Sequence, residues 1–359
     1  MVLTATYKVK NGIRAFRRWV IPSIYSWIYK KQFRPILSYL FTEWKCNIDC
    51  HYCYQFDNGQ PGMTLETARQ SIDWLKSKGC RVVALMGGEV LLRPDFVLDV
   101  IKYGAKQGFF VYLPTNGYLL TKDFIDKAGA AGVSAINLAV DCISPKPGLP
   151  KALMPIEKQF RYLVKKQKEY GYVLFFNINI TSKNMKDVKM LTEIARANGI
   201  GTDYHVNEPP QVEQPHYRHG REEALFIRKD QLKEFDALMD WLIEKNRQGY
   251  PMVNHTQHFE HMKKFVRGEY QPWKCSAGKN GCFIKSDGSL SPCFGMQCSS
   301  TDWGRIWEPK FNPKKLNEMK KECNKHCLST CFYTGYSYYK SLPSMLVWMM
   351  KHTKLGKPA

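Results

Sequence analysis

Cys46, Cys50 and Cys53 stand in the run Thr42-Glu43-Trp44-Lys45-Cys46-Asn47-Ile48-Asp49-Cys50-His51-Tyr52-Cys53, directly after an apolar, strand-like stretch over residues 36–41. A compact loop presenting three thiolates at C-x3-C-x2-C spacing can hold three corners of a cubic iron–sulfur cluster, leaving the fourth iron without a protein ligand. An iron with an open position is a site for chemistry, whereas a fully ligated cluster carries electrons or braces a fold. Zinc is the competing reading. Against it stands the lack of the paired C-x2-C halves typical of zinc ribbons.

A second group follows late in the chain: Cys275, Cys282, Cys293 and Cys298, then Cys323, Cys327 and Cys331 at C-x3-C-x3-C spacing. Between Cys282 and Cys293 the segment 283–292 reads as a hairpin turning at Asp287-Gly288. Cysteines flanking such a hairpin, joined by a distant cysteine group, can close a further cluster, and a structural zinc is the alternative. Cys80 and Cys142 are expected to be unligated, since free cysteine often serves as a small buried residue. The twelve cysteines in 359 residues favour metal over disulfides. They fall in tight local groups, and no secretory signal pattern precedes them, so a reducing compartment is expected.

The intervening sequence must position these loops. Strand-like segments occur near 37–43, 81–86, 109–114, 135–140, 173–180 and 202–206. Helical patterns fall between them at 65–78, 94–107, 122–131, 156–170 and 184–197, with Leu65, Ala68, Ile72 and Leu75 at helical spacing. Strand and helix alternating about six times implies a parallel sheet with helical crossovers, and ligands in such α/β folds sit at the carboxyl ends of strands. The first cysteine loop falls on that rim. Residues 207–230 read as a long polar loop, followed by helices near 230–245 and 257–267.

These residues resemble the radical S-adenosylmethionine (radical SAM) enzymes. Cys46-x3-Cys50-x2-Cys53 with Tyr52 is similar to the family signature. Met86-Gly87-Gly88-Glu89 follows the second strand, Thr115-Asn116-Gly117 the third, and Val140-Asp141 ends the fourth. The resemblance covers about 36–250 and implies a partial (β/α)6 barrel. It implies a SAM-binding [4Fe-4S] cluster on Cys46, Cys50 and Cys53. S-adenosylmethionine would then lie against Tyr52, Gly87, Gly88, Glu89, Asn116, Asp141 and Asn179, with Asn177 and Thr181 also within reach. The glycine pair would let the backbone approach the ligand closely. Glu89 or neighbouring carbonyls would accept from its ammonium group, and Tyr52 would offer a face to the adenine. A reductant such as flavodoxin or ferredoxin is implied, and so is a 5′-deoxyadenosyl radical that abstracts hydrogen. Bland readings stand beside these roles: Asp141 as a cap or turn former, Asn177 and Asn179 as strand-end polars, Gly87-Gly88 as a strand end.

The late cysteines are similar to the SPASM extension or its shorter twitch variant. The match is good at Cys275, Gly288 and Cys293. It departs afterwards, because the full pattern has C-x2-C-x5-C-x3-C. The resemblance therefore implies at least one auxiliary [4Fe-4S] cluster, on Cys275, Cys293 and two of Cys323, Cys327 and Cys331. Cys282 and Cys298 leave room for a second. SPASM-like relatives act on peptides, sulfatases and carbohydrates, so the extension names no substrate. His205, Glu208, Tyr217, Cys282 and Cys298 are candidates by location for quenching a substrate radical.

The net charge of +21 favours anionic partners. Apolar content of 44% and charged content of 24% are those of a globular protein. Lys8, Lys10, Arg14, Arg17, Arg18, Lys30, Lys31 and Arg34 precede the first cysteine, and Lys351, Lys354 and Lys357 lie near the other end. Ile13, Phe16, Val20, Ile24, Trp27 and Ile28 are expected to share one helical face, with Pro22 kinking or splitting the helix. This basic amphipathic leader suits an anionic membrane surface or packs on the protein's own body. The division expected is a leader over 1–35, the core over 36–250, a helical linker over 251–271, the auxiliary domain over 272–335 and a basic amphipathic tail over 336–359. The leader and tail tilt the expected substrate toward a lipid or lipid-linked molecule. The location expected is cytoplasmic, peripheral on the inner face of the membrane. A peptide-modifying enzyme is the alternative, and a non-catalytic electron carrier is the alternative of another class. Nucleic acid is disfavoured, because no interleaved basic–aromatic strand motif occurs.

Overall fold

A computed structural model of the chain describes residues 5–29, 32–220, 225–269, 273–323, 327–328 and 332–334. The expected tail, Cys331, Lys30 and Lys31 lie outside the described residues.

Six parallel strands form the barrel wall in sequence order: β1 (Leu37–Glu43), β2 (Val82–Gly87), β3 (Phe110–Thr115), β4 (Ala135–Ala139), β5 (Val173–Ile180) and β6 (Gly201–Val206). Between them run α3 (Leu65–Ser77), α4 (Pro94–Lys106), α5 (Lys122–Ala131), α6 (Glu157–Tyr170) and α7 (Met185–Ala197). This is the partial (β/α)6 barrel expected from the sequence. Local chemistry sets the helix ends. Thr64 and Thr121 accept from the amides of Thr67 and Phe124 as N-caps, Pro94 fills the first turn of α4, and Gly132 and Gly171 stop α5 and α6 in the left-handed region. Leu40, Ile72, Leu85, Val111, Ile136, Phe176 and Ile178 belong to one buried core between strands and helices.

After β6 come α8 (Leu232–Arg247) and α9 (Thr256–Val266), then the hairpin β7 (Phe283–Ile284) and β8 (Leu290–Ser291). Gly288 turns this hairpin at φ 77°, as its Asp-Gly pair predicts. The hairpin is no separate layer. β7 pairs in parallel with β1, Tyr39 opposite Phe283 and Leu40 opposite Ile284, so the sheet continues past its first strand. The short pair β9 (Gly304–Arg305) and β10 (Glu308–Pro309) and the helix α10 (Pro313–Cys323) follow.

The leader forms α1 (Ala5–Ala15), a π-helical turn over Phe16–Val20, and α2 (Ile21–Ile28). It crosses the amino-terminal end of the barrel. The Asn11 side-chain amide donates to the Gly171 carbonyl at 3.0 Å, Arg14 donates to Ser134, and Ser26 donates to Asn280 at 2.8 Å. Trp19 packs edge-on against Phe110 at 5.9 Å. The expected single apolar face is corrected here. Val20 is buried, while Ile13, Phe16 and Ile28 are exposed. The wider π turn rotates the residues after it relative to those before, so a stripe drawn at a uniform 3.6-residue pitch breaks. Pro22 sits in the first turn of α2, where its missing N–H is tolerated.

Candidate active site

The three-cysteine loop leaves the carboxyl end of β1. Cys46 donates its amide to Asn58 at 3.0 Å, and Cys53 donates to the Cys50 carbonyl at 2.9 Å. The β2 end locks the loop from beside it: Gly88 donates to the Glu43 carbonyl at 2.9 Å and Glu89 to the Lys45 carbonyl at 2.8 Å. A Cβ on Gly87 would collide with the Glu43 backbone, and one on Gly88 with the Lys45 backbone and with Cys46 Cβ. The close approach that the glycine pair permits is thus an approach to the cysteine loop itself.

Glu89 is buried, and both its oxygens are engaged. They accept from the Leu91 amide at 3.0 Å, the Thr115 hydroxyl at 2.8 Å and the Asn116 amide at 2.8 Å. It ties the rim of β2 to that of β3. The Asn116 side chain in turn donates to Asn47 in the cysteine loop at 2.8 Å. On the opposite wall Tyr52 donates its hydroxyl to Asp141 at 2.6 Å, and Asp141 accepts from the Asn179 amide at 2.8 Å. Every cofactor-binding candidate read from the sequence therefore lies on one rim. Lys151 also lies there, and the sequence reading missed it. Its ammonium donates to the Tyr52 hydroxyl at 3.0 Å.

The three thiols are pushed up by burial, Cys46 to about 11, and each feels the others or Lys151. Buried thiols with one shared cation nearby are poor acids on their own. An iron–sulfur cluster supplies the positive charge that would hold them as thiolates, so the donor set fits that group. Among the described residues no three His, Cys, Asp or Glu side chains are gathered closely enough for a single metal ion.

The segment 207–220 packs over the loop. His216 contacts the Tyr54 carbonyl at 2.8 Å, Tyr217 donates to the His51 carbonyl at 2.6 Å, and His219 pairs with Asp49 at 2.8 Å while stacking on His51. Trp44 donates to Ser286 in the hairpin turn at 2.8 Å.

Beneath the rim lies a cavity of about 450 Å³ that runs the length of the barrel. At the rim it is bounded by Cys53, Tyr52, Asp141, Asn179 and Lys151; at the far end by Ala15, Trp19, Phe110, Ala135 and Phe175. Asp203 and His205 project into it from alternate positions of β6, and Glu208 from just beyond. Burial raises the Asp203 carboxyl to about 7 and the Glu208 carboxyl to about 8, and lowers His205 to about 3. Asp203 Oδ1, His205 Nδ1, Glu208 Oε1 and Asn137 Oδ1 are buried without a hydrogen-bond partner among the described residues.

Cys293 and Cys327 also border this cavity, and with Cys275 and Cys323 they line a smaller one beside it. Lys320 lies among Cys275, Cys323 and Cys293. The Cys327 thiol faces Glu208 at 3.7 Å. Cys282 sits elsewhere, buried next to Ser38 at 3.7 Å, and Cys298 is exposed. Cys80 and Cys142 are buried in the core.

A parallel α/β half-barrel with this rim defines an iron–sulfur enzyme that uses S-adenosylmethionine. Residues 45–200 match the Radical SAM superfamily. It is similar to the AdoMet-dependent heme synthase of Methanosarcina barkeri, 27% identical over 309 residues that make up 77% of this chain and 84% of that protein. Among solved structures it is similar to Streptococcus suis SuiB bound to precursor peptide SuiA, with TM-score 0.61 and 13% identity over 89% of this chain and 76% of that one. It is also similar to native anSMEcpe with bound AdoMet and the Cp18Cys peptide, with TM-score 0.57 and 18% identity over 81% of each chain. At these identities the likeness to SuiB and anSMEcpe is one of fold.

Proposed function

We propose that this radical SAM enzyme abstracts hydrogen from a largely apolar substrate, a lipid or lipid-linked molecule, whose body lies in the barrel cavity. The observation that carries the reading is the lining of that cavity: aromatic and aliphatic from Trp19 to Phe175, polar around Asp203, His205 and Glu208, and bordered by Cys53 at the rim. An apolar pocket with a few convergent polar groups selects an apolar body with a small polar head. Lys151 is the one cation among the described lining residues, and Tyr52 already engages it. A substrate carrying several negative charges would find no second cation among the described lining residues.

Cys46, Cys50 and Cys53 would hold the cluster. Tyr52, Gly87, Gly88, Glu89, Asn116, Asp141 and Asn179 would shape the S-adenosylmethionine pocket, with Lys151 holding Tyr52 and Asp141 in place. When bound and reduced, the cluster with S-adenosylmethionine supplies the electron that breaks the sulfonium carbon–sulfur bond, so that the 5′-deoxyadenosyl radical takes a hydrogen atom from a substrate carbon. A flavodoxin or ferredoxin would be the electron source. Cys275, Cys293, Cys323 and Cys327 would hold an auxiliary cluster bordering the same cavity. The segment 207–220 would keep water from the rim.

The test is reductive cleavage of S-adenosylmethionine by reconstituted protein given perdeuterated total lipid. Deuterium in the 5′-deoxyadenosine is the expected result. The triple substitution of Cys46, Cys50 and Cys53 by Ala should abolish cleavage and leave the auxiliary iron, roughly four atoms per chain. Deuterium transfer from a labelled peptide library and none from lipid would move the assignment to peptide modification.

A further inference from the structure

The leader has two faces with different tasks. Asn11, Ala15 and Trp19 floor the apolar end of the cavity. On the other side Val9, Ile13, Phe16, Tyr25, Ile28 and Tyr29 are each between 42% and 65% exposed. Six large apolar side chains exposed along one short leader exceed the scattered singles normal on a protein surface.

Charge says what covers them. Residues 1–35 hold eight Lys and Arg and no Asp or Glu. Lys10 and Arg17 are exposed in the same helices, and burial first, then the neighbouring Arg81 and Arg17, depress the pKa of Arg18. Positive charges packed this closely repel one another unless an anionic surface lies against them. Exposed apolar side chains interspersed with basic residues are the pattern of a helix lying in a bilayer interface. Among the described residues no helix is long and apolar enough to cross a membrane.

We propose that α1 and α2 dock the amino-terminal end of the barrel on an anionic lipid bilayer, so that the apolar end of the cavity faces the membrane and the cysteine rim faces away. This rests on the lipid reading above for its purpose, and it is tested without it. Full-length holoprotein is sedimented with vesicles of phosphatidylcholine alone and of phosphatidylcholine mixed with phosphatidylglycerol. Capture by the anionic vesicles is expected, with capture lowered at least about tenfold in Ile13→Glu/Phe16→Glu. That variant should keep wild-type iron content and lipid-free S-adenosylmethionine cleavage. Tyr25→Glu/Ile28→Glu gives the same readout from the other segment if the first fails to fold.

Equal capture of wild type and both variants would overturn the proposal. So would a wild-type dimer, captured by neither vesicle, that the substitutions turn into a monomer. Capture by anionic vesicles with no lipid turned over would uphold the docking and overturn the lipid substrate. Turnover of detergent-dissolved lipid without capture would do the reverse.

Discussion

At the scale of residues, the cysteine loop and its glycine partners were readable because their geometry is local: spacing along one loop decides what three thiols can hold. Asp203 and His205 left a weaker trace. Alternation along β6 places both on one strand face, and polar residues inside a barrel are a sign of use. Lys151 left no trace, because the 141–152 segment must fold back before its ammonium meets Tyr52. These groups carry a pH prediction. Burial disfavours the charged form of Asp203, so the carboxyl is protonated below about 7 and charged above it. Asp203 Oδ2 lies 3.6 Å from His205 Nε2, and charging the buried carboxyl opposes the proposed apolar substrate. Substrate-dependent 5′-deoxyadenosine formation should therefore fall as pH rises through about 7, by at most about tenfold per pH unit. Asp203→Asn should flatten that limb of the profile. An unchanged profile in the variant would assign the titration to another group.

At the scale of elements, strands and crossover helices matched their periodicity to within a residue or two. Each buries one face against the same core, and that demand is written into the spacing. The pairing of β7 with β1 was not legible. A two-residue strand has no period, and its partner lies about 240 positions away in sequence. The π turn in the leader escaped for a related reason, since a single wide turn leaves no repeat to detect. The β1–β2 junction is the element contact on which the site depends. Gly88→Ala should push the Lys45 backbone and Cys46 out of place. The expected loss is about 1–3 kcal/mol of stability, with a lower iron content after reconstitution. Thermal unfolding and iron assay measure both. An intact iron content in a destabilised variant would show that the loop tolerates the displacement.

At the scale of the whole molecule, one cavity connects the rim, the auxiliary cysteines and the leader, so the steps of turnover can be separated by position. Ala135 faces the apolar end, far from the cysteine loop. Ala135→Leu should shorten the proposed substrate space while leaving the proposed S-adenosylmethionine pocket intact. The expected outcome is basal cleavage within about twofold of wild type and loss of substrate-stimulated turnover. Equal loss of both would place the S-adenosylmethionine pocket deeper than the rim. The leader's place was legible only as two competing readings, membrane or own body. The structure shows helices that pack on the protein's own body and still leave apolar side chains exposed.

Strand β1 has a further consequence. Its carboxyl end launches the first cysteine loop, and its free edge carries the hairpin that leads into Cys293. Both prospective redox centres are thus mounted on a single rigid bar. Electron tunnelling falls off exponentially with separation, so hydrogen-bonded backbone, rather than any flexible hinge, would set the tempo at which the two exchange charge.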